Sequence, residues 1–146
     1  MSKKPLVMFG LVLAVVSAFV LVPTPADAKK PYMAVMRKHF QLTPETGKCV
    51  ICHLAGKDPD EDTLNSYGKE MKASPLMAEL LKTKQPSPAQ LESVAKAADS
   101  LADKDSDGDG VTNGEEIALN SLPGDEKSKP DAKALEKYRK EHPPKK

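Results

Sequence analysis

Cys49, Cys52 and His53 are the residues of this chain best placed to do chemistry, in the run Cys49-Val50-Ile51-Cys52-His53. Two thiols three positions apart, on a turn or at the start of a helix, lie on nearly the same face. The imidazole that follows is carried beneath whatever the sulfurs hold. This suits covalent attachment of haem: the two thiols reach the two vinyl groups of one porphyrin, and His53 reaches the iron as proximal ligand. Irreversible thioethers then let a small protein hold haem without a large pocket. The same residues have other chemistries open to them. A redox dithiol of this spacing follows a strand in a βαβ unit, and no strand pattern precedes Cys49. A zinc site would need partners, yet these are the only two cysteines, and His39 and His142 do not supply a zinc-finger spacing. A plain disulfide leaves His53 unexplained.

A second group follows further on. Asp103, Asp105, Asp107 and Asp109 alternate along the chain, and Gly110, Val111, Asn113, Glu115 and Glu116 come directly after. Aspartates at alternate positions repel one another in a folded protein unless a hard cation gathers their oxygens, and calcium accepts about six to eight such ligands. Counted from Asp105, the carboxylates of Asp105, Asp107 and Asp109, the Val111 carbonyl, Asn113 and Glu116 occupy the ligand positions of a calcium loop. The loop resembles that of an EF-hand and, more closely, the short calcium loops of dockerins and bacterial thrombospondin type 3 repeats. It departs from the EF-hand pattern at Thr112, where an aliphatic is expected, and there is no second loop to pair with. The alternative is a flexible acidic turn. The expected role is structural, clamping the preceding helix to the segment from Glu115 to Leu119. Extracellular calcium modules bind at about 10⁻⁴ to 10⁻³ M, adequate outside the cell.

Short helices must position both groups. Met33, Met36 and Phe40 lie at helical spacing within a first helix expected over Pro31 to Leu42, which Thr43-Pro44-Glu45-Thr46-Gly47 ends. A polar loop from Gly56 to Asp62 follows His53. A helix is expected from about Thr63, capped by Asp62 or Thr63, with Leu64, Tyr67 and Met71 along one face. Gly68 permits a close approach to that helix, for which a flat porphyrin is one candidate. Ser74-Pro75 opens another helix through Lys82. Ser87-Pro88-Ala89-Gln90 is a capping box, and Leu91, Val94, Ala95, Ala98 and Leu101 then give one apolar face. No strand is expected.

Residues 1 to 28 read as an export signal. Lys3 and Lys4 precede an apolar run from Leu6 to Val22; Pro23 and Pro25 follow, and Ala26-Asp27-Ala28 is an A-x-A cleavage site with Lys29 as the new N-terminus. An uncleaved anchor is the alternative reading. Cleavage leaves 20 basic and 20 acidic side chains, so the mature chain is neutral and nothing points to nucleic acid. At 146 residues the chain fits one domain with extensions. Aromatics are only 4% of it and Trp is absent, so its own core is thin, and a buried porphyrin would supply apolar bulk. Domain limits follow: signal 1–28, haem domain 29–122 containing the calcium-type loop 103–116, and a charged, mostly flexible tail 123–146.

Cys49 to His53, the short helices and the export signal together resemble a small monohaem c-type cytochrome, over roughly Pro31 to Leu101. The stretch from Leu64 to Gly68, with the acidic loop beyond it, is also similar to exported bacterial cytochrome-like proteins. The resemblance implies an all-α, cytochrome c-like bundle of short helices around one haem c, with Cys49 and Cys52 as thioether sites and His53 as proximal ligand. It implies a periplasmic or secreted bacterial protein, because haem is attached to this motif outside the cytoplasm. The sixth iron ligand is expected from Met71 or His39, with Met33, Met36 and Met77 as further thioethers. Single-electron transfer to exported redox partner proteins is the leading function, with no enzymatic activity, no stable membrane span after cleavage, and calcium as second cofactor. A haem enzyme or gas sensor with an open sixth position, and a calcium-dependent binding module, are the alternatives.

Overall fold

The computed structural model describes residues 30–57, 59 and 61–143. The export segment and its cleavage site lie outside the described residues. Six helices make up the fold, which is all-α, with no strand among the described residues. They are α1 (Lys30–Phe40), α2 (Ser66–Ala73), α3 (Pro75–Leu81), α4 (Pro88–Ser100), α5 (Asn113–Ala118) and α6 (Ala132–Glu141). Among the described residues no helix is long and apolar enough to cross a membrane.

The longest helix, α4, is the platform. Its start follows from sequence alone: Ser87 accepts from the Gln90 N–H at 3.3 Å, and Gln90 returns the bond to the Ser87 N–H at 2.9 Å. Val94, Ala95, Ala97, Ala98 and Leu101 are buried, and the small alanines let α1 and α3 lie close against this face. Helix α2 packs on α3. Met36, Ile51, Tyr67, Met71, Met77 and Leu80 complete one core that joins all the helices before the acidic loop. Burying one such side chain contributes about 1.5–3 kcal/mol.

Three elements differ from the sequence expectation. Helix α1 stops at Phe40 because Gln41 turns into the left-handed region at φ 53°. Helix α2 starts at Ser66, later than expected, and its cap is Asn65 rather than Asp62 or Thr63. Residues Glu61–Thr63 form a single 3₁₀ turn, and Leu64 makes an isolated antiparallel bridge with His53. The chain is therefore held extended at Leu64 until Asn65 can initiate the helix. In the charged C-terminal segment, Pro123 is fully buried and α6 follows from the Asp131 cap, whose carboxylate accepts from the N–H groups of Lys133 and Ala134, both at 3.1 Å. None of the α6 side chains is buried.

Candidate functional site

Cys49–Ile51 forms one turn of 3₁₀ helix. Three residues per turn places positions i and i+3 on the same side, so Cys49 and Cys52 share a face while Ile51, fully buried, points into the core. Both thiols are free, Cys49 exposed and Cys52 partly buried. With His53 they line one cavity of about 350 Å³. Its other walls are Tyr32, Met33 and Met36 from α1, Leu64, Gly68, Met71 and Lys72 in and before α2, Met77 and Leu81 from α3, Val94 from α4, and Pro59.

The segment before α2 staples this turn from below. The Leu54 N–H donates to the Thr63 carbonyl at 2.7 Å and the Asn65 N–H to the Cys52 carbonyl at 3.0 Å. Nδ1 of His53 lies 3.2 Å from Thr63 Oγ1, a contact that orients the imidazole ring. Asn65 is the central clamp. Its buried amide Nδ2 donates to the carbonyls of Val50 (3.1 Å) and Ile51 (3.2 Å), and its Oδ1 accepts from the Gly68 N–H at 2.8 Å. Gly68 is explained by the protein itself: a Cβ there would overlap the Cys52 carbonyl. Gly124 supports the clamp from behind, because a Cβ on it would overlap the Asn65 side chain.

Burial pushes the Cys52 thiol up to about 12, and the neighbouring Cys49 adds to the rise. Disulfide exchange needs an acidified thiol, and here the environment acts in the opposite sense on Cys52. Tyr67 is fully buried, its hydroxyl raised first by burial and then by Cys52 and Asp99, and that hydroxyl finds no hydrogen-bond partner among the described residues.

The two expected sixth ligands are separated. Met71, 4% exposed, faces the cavity on α2. His39 does not line it. Its Nε2 sits 3.1 Å from each oxygen of the Asp99 carboxylate, with the ring edge-on to Phe40 and about half open to solvent.

The acidic loop is assembled around its own backbone. The exposed carboxylate of Asp105 accepts from the N–H groups of Gly108 (2.7 Å), Asp109 (3.2 Å) and Gly110 (2.8 Å). Desolvation is the largest single influence and opposes the charge, but these bonds together outweigh it and hold the Asp105 carboxyl below its usual range. Gly108 and Gly110 reach this arrangement at φ 79° and 90°, where only glycine is free of strain. Carboxylate oxygens of Asp105, Asp107 and Asp109 lie within 4.8 Å of one another. Glu116 is completely buried, and neither of its oxygens has a hydrogen-bond partner among the described residues; Asp107 and Asp109 each leave one buried oxygen without a hydrogen bond there as well. Burial and the fields of Asp107, Asp109 and Asp105 push the Glu116 carboxyl up to about 9. Val111 donates its N–H to Asp109 Oδ1 at 2.8 Å while its side chain is buried. Asn113 uses both ends of its amide to brace the loop, Nδ2 donating to the Leu101 carbonyl at 2.8 Å and Oδ1 accepting from the Ser106 N–H at 3.2 Å.

The sequence pointed to Thr63 only as a helix cap, not as a partner of His53, and did not point to Asn65, Gly124, Lys129 or Arg139 as site residues. A signal existed only for Asn65, a good helix cap ahead of an apolar pattern. No protein-family model, curated protein or solved structure matches this chain.

Proposed function

We propose that this protein is an exported carrier of single electrons that holds one haem covalently. The observation that supports it is the convergence of Cys49, Cys52 and His53 on a single apolar cavity, with the His53 ring already oriented by Thr63. The donor set fits the group: two thiols, one imidazole and several thioethers around an apolar space suit an iron porphyrin and suit a hard cation poorly. When bound, the haem iron supplies a one-electron couple.

Each remaining task falls to a residue of the chain. Cys49 and Cys52 would hold the group as two thioethers, each S–H adding across one vinyl double bond so that nothing need leave. His53 would supply the imidazole ligand to the iron, and the contact of its Nδ1 with Thr63 Oγ1 would orient the ring and, with the proton on Nδ1, raise the basicity of the ligand. The turn that carries all three is kept rigid by Asn65, so ligand geometry changes little between oxidation states. Met71 would be the residue on the cavity wall to complete the iron's ligands, since His39 is engaged by Asp99 and does not line the cavity. That placement also favours a carrier over a gas- or peroxide-binding haem, which needs a polar group such as His39 above an open iron. The acidic loop binds one hard divalent cation of the calcium class, because its buried unpaired carboxylate oxygens match that chemistry. Its role is structural.

Visible spectra of the protein made in a host that matures cytochromes test the reading. A covalent haem surviving acid–acetone extraction, with a c-type pyridine haemochrome and thioether ligation in the ferric state, is the expected result. Colourless protein with both thiols open to alkylation would refute it.

A further inference from the structure

Lys129 stands at the acidic loop although it lies well outside it in sequence. Its Nζ donates to the Asp109 carbonyl at 2.5 Å and sits 3.8 Å from Oδ2 of Asp109, whose side chain is only 1% exposed. Its charge also reaches Glu116, where it opposes the three aspartates. Glu116 itself is fully buried, with both oxygens unpaired and facing the fields of Asp105, Asp107 and Asp109. Lys129 is held in reach by its surroundings. Just before it, the Ser128 Oγ accepts from the Leu122 N–H at 3.0 Å. Beyond it, Arg139 of α6 donates to Glu115 at 2.6 and 2.8 Å and to the Gly110 carbonyl at 3.3 Å.

We infer that Lys129 is the resident counter-ion of the acidic loop, and that a divalent cation entering between Asp107, Asp109 and Glu116 displaces its ammonium. The C-terminal segment thereby sets the affinity of the site. The inference rests on the acidic loop being a cation site, and it adds a competitor supplied by the chain itself. Calcium binds carboxylate oxygen at about 2.3–2.6 Å. An ion at that distance from Asp109 Oδ2 leaves no room for the ammonium to stay where it is without strong like-charge repulsion. The side chain is half exposed, so it can swing into water. Arg139 remains on Glu115, which keeps α6 in place while Lys129 exchanges.

The test is calcium titration of the haem-loaded full chain by isothermal calorimetry, for the unaltered protein and for Lys129→Met, Lys129→Arg and Lys137→Met. Methionine keeps the apolar stem but removes the charge. A single charge about 6 Å from a divalent ion, screened as in water, changes affinity about tenfold. Lys129→Met is expected to bind calcium about tenfold more tightly, with Lys129→Arg unchanged. Lys137→Met, which removes a charge paired with Glu141 on the far part of α6, is expected to leave the affinity unchanged. Equal or weaker binding by Lys129→Met overturns the inference, as does equal tightening by Lys137→Met, which would mark a net-charge effect. If neither the unaltered protein nor Lys129→Met binds calcium at millimolar concentration, the cation reading of the loop fails, and the inference fails with it.

Discussion

Replacing Asn65 by Ala separates a Cys49–His53 turn held by its own sequence from one held by its neighbours. Asn65 is 4% exposed and makes three hydrogen bonds, one capping α2 and two to the carbonyls between the cysteines. Loss of a helix cap costs about 1 kcal/mol. Each buried carbonyl stripped of its donor costs about 1–3 kcal/mol. The two carbonyls share one amide group, so the losses do not simply add, and about 3 kcal/mol is the expected total. For a domain of this size that lowers Tm by about 10 °C. The assay is far-ultraviolet circular dichroism melting of the haem-loaded protein, with covalent haem per chain measured alongside. Both are expected to fall, because the turn that presents Cys49 and Cys52 loses its support. Asn65→Asp divides the roles: it keeps the acceptor for the Gly68 N–H but turns an oxygen on the two carbonyls. If the clamp dominates, Asp is at least as damaging as Ala; if the cap dominates, Asp lies close to the original. A Tm within about 3 °C of the original, with normal haem content in the Ala variant, would show that Asn65 does not hold the site.

Three further outcomes follow from the same geometry. Thr63→Val removes the acceptor from His53 Nδ1, so the imidazole becomes a weaker donor and the reduction potential rises, on the order of 30 mV for about 0.7 kcal/mol in a one-electron couple; an unchanged potential in protein-film voltammetry contradicts the assignment. In EDTA the protein loses stability as pH rises, since the unfolded chain releases the Glu116 proton near 4.5 and the folded one only near 9. Calcium at about 5 mM flattens that slope and raises Tm by several degrees, and a melting curve indifferent to EDTA across this range excludes the clamp. In haem-free protein, Cys52 resists iodoacetamide at about pH 8.5 by roughly 10³-fold relative to the urea-unfolded chain, because burial holds its thiol near 12; equal rates by mass spectrometry rule out that burial.

Chemistry that depends on neighbours in sequence was legible, and chemistry that depends on neighbours in space was not. The spacing of Cys49, Cys52 and His53 places them on one cavity wall because a single turn of chain suffices to align them. The Ser87–Gln90 box and the Val94–Leu101 face are equally local. Asn65 escaped notice because its partners are the carbonyls of Val50 and Ile51, which nothing in the sequence around Asn65 announces. His39 was attractive as an iron ligand for its chemistry alone. Asp99, sixty positions away in sequence, decides where it points. The charged tail offered Asp131 followed by a run of strong helix formers, yet α6 has no buried face of its own. What ties it to the rest is the pairing of Arg139 with Glu115, which the tail sequence cannot reveal.

The cavity and the acidic loop look like separate modules in the sequence, but they share two helices. Helix α2 turns Met71 toward the cavity while the adjacent Glu70 accepts from the Ser106 hydroxyl at 3.1 Å and lies 3.7 Å from Lys104. Helix α4 contributes Val94 to the cavity wall, and the Leu101 carbonyl just past its end accepts from Asn113. Each helix therefore has one point on the cavity and another at the loop. The carboxylates of Asp107 and Asp109 lie beside Ser106 in the same loop that anchors both helices, so an ion that neutralises them would steady α2 and α4 together.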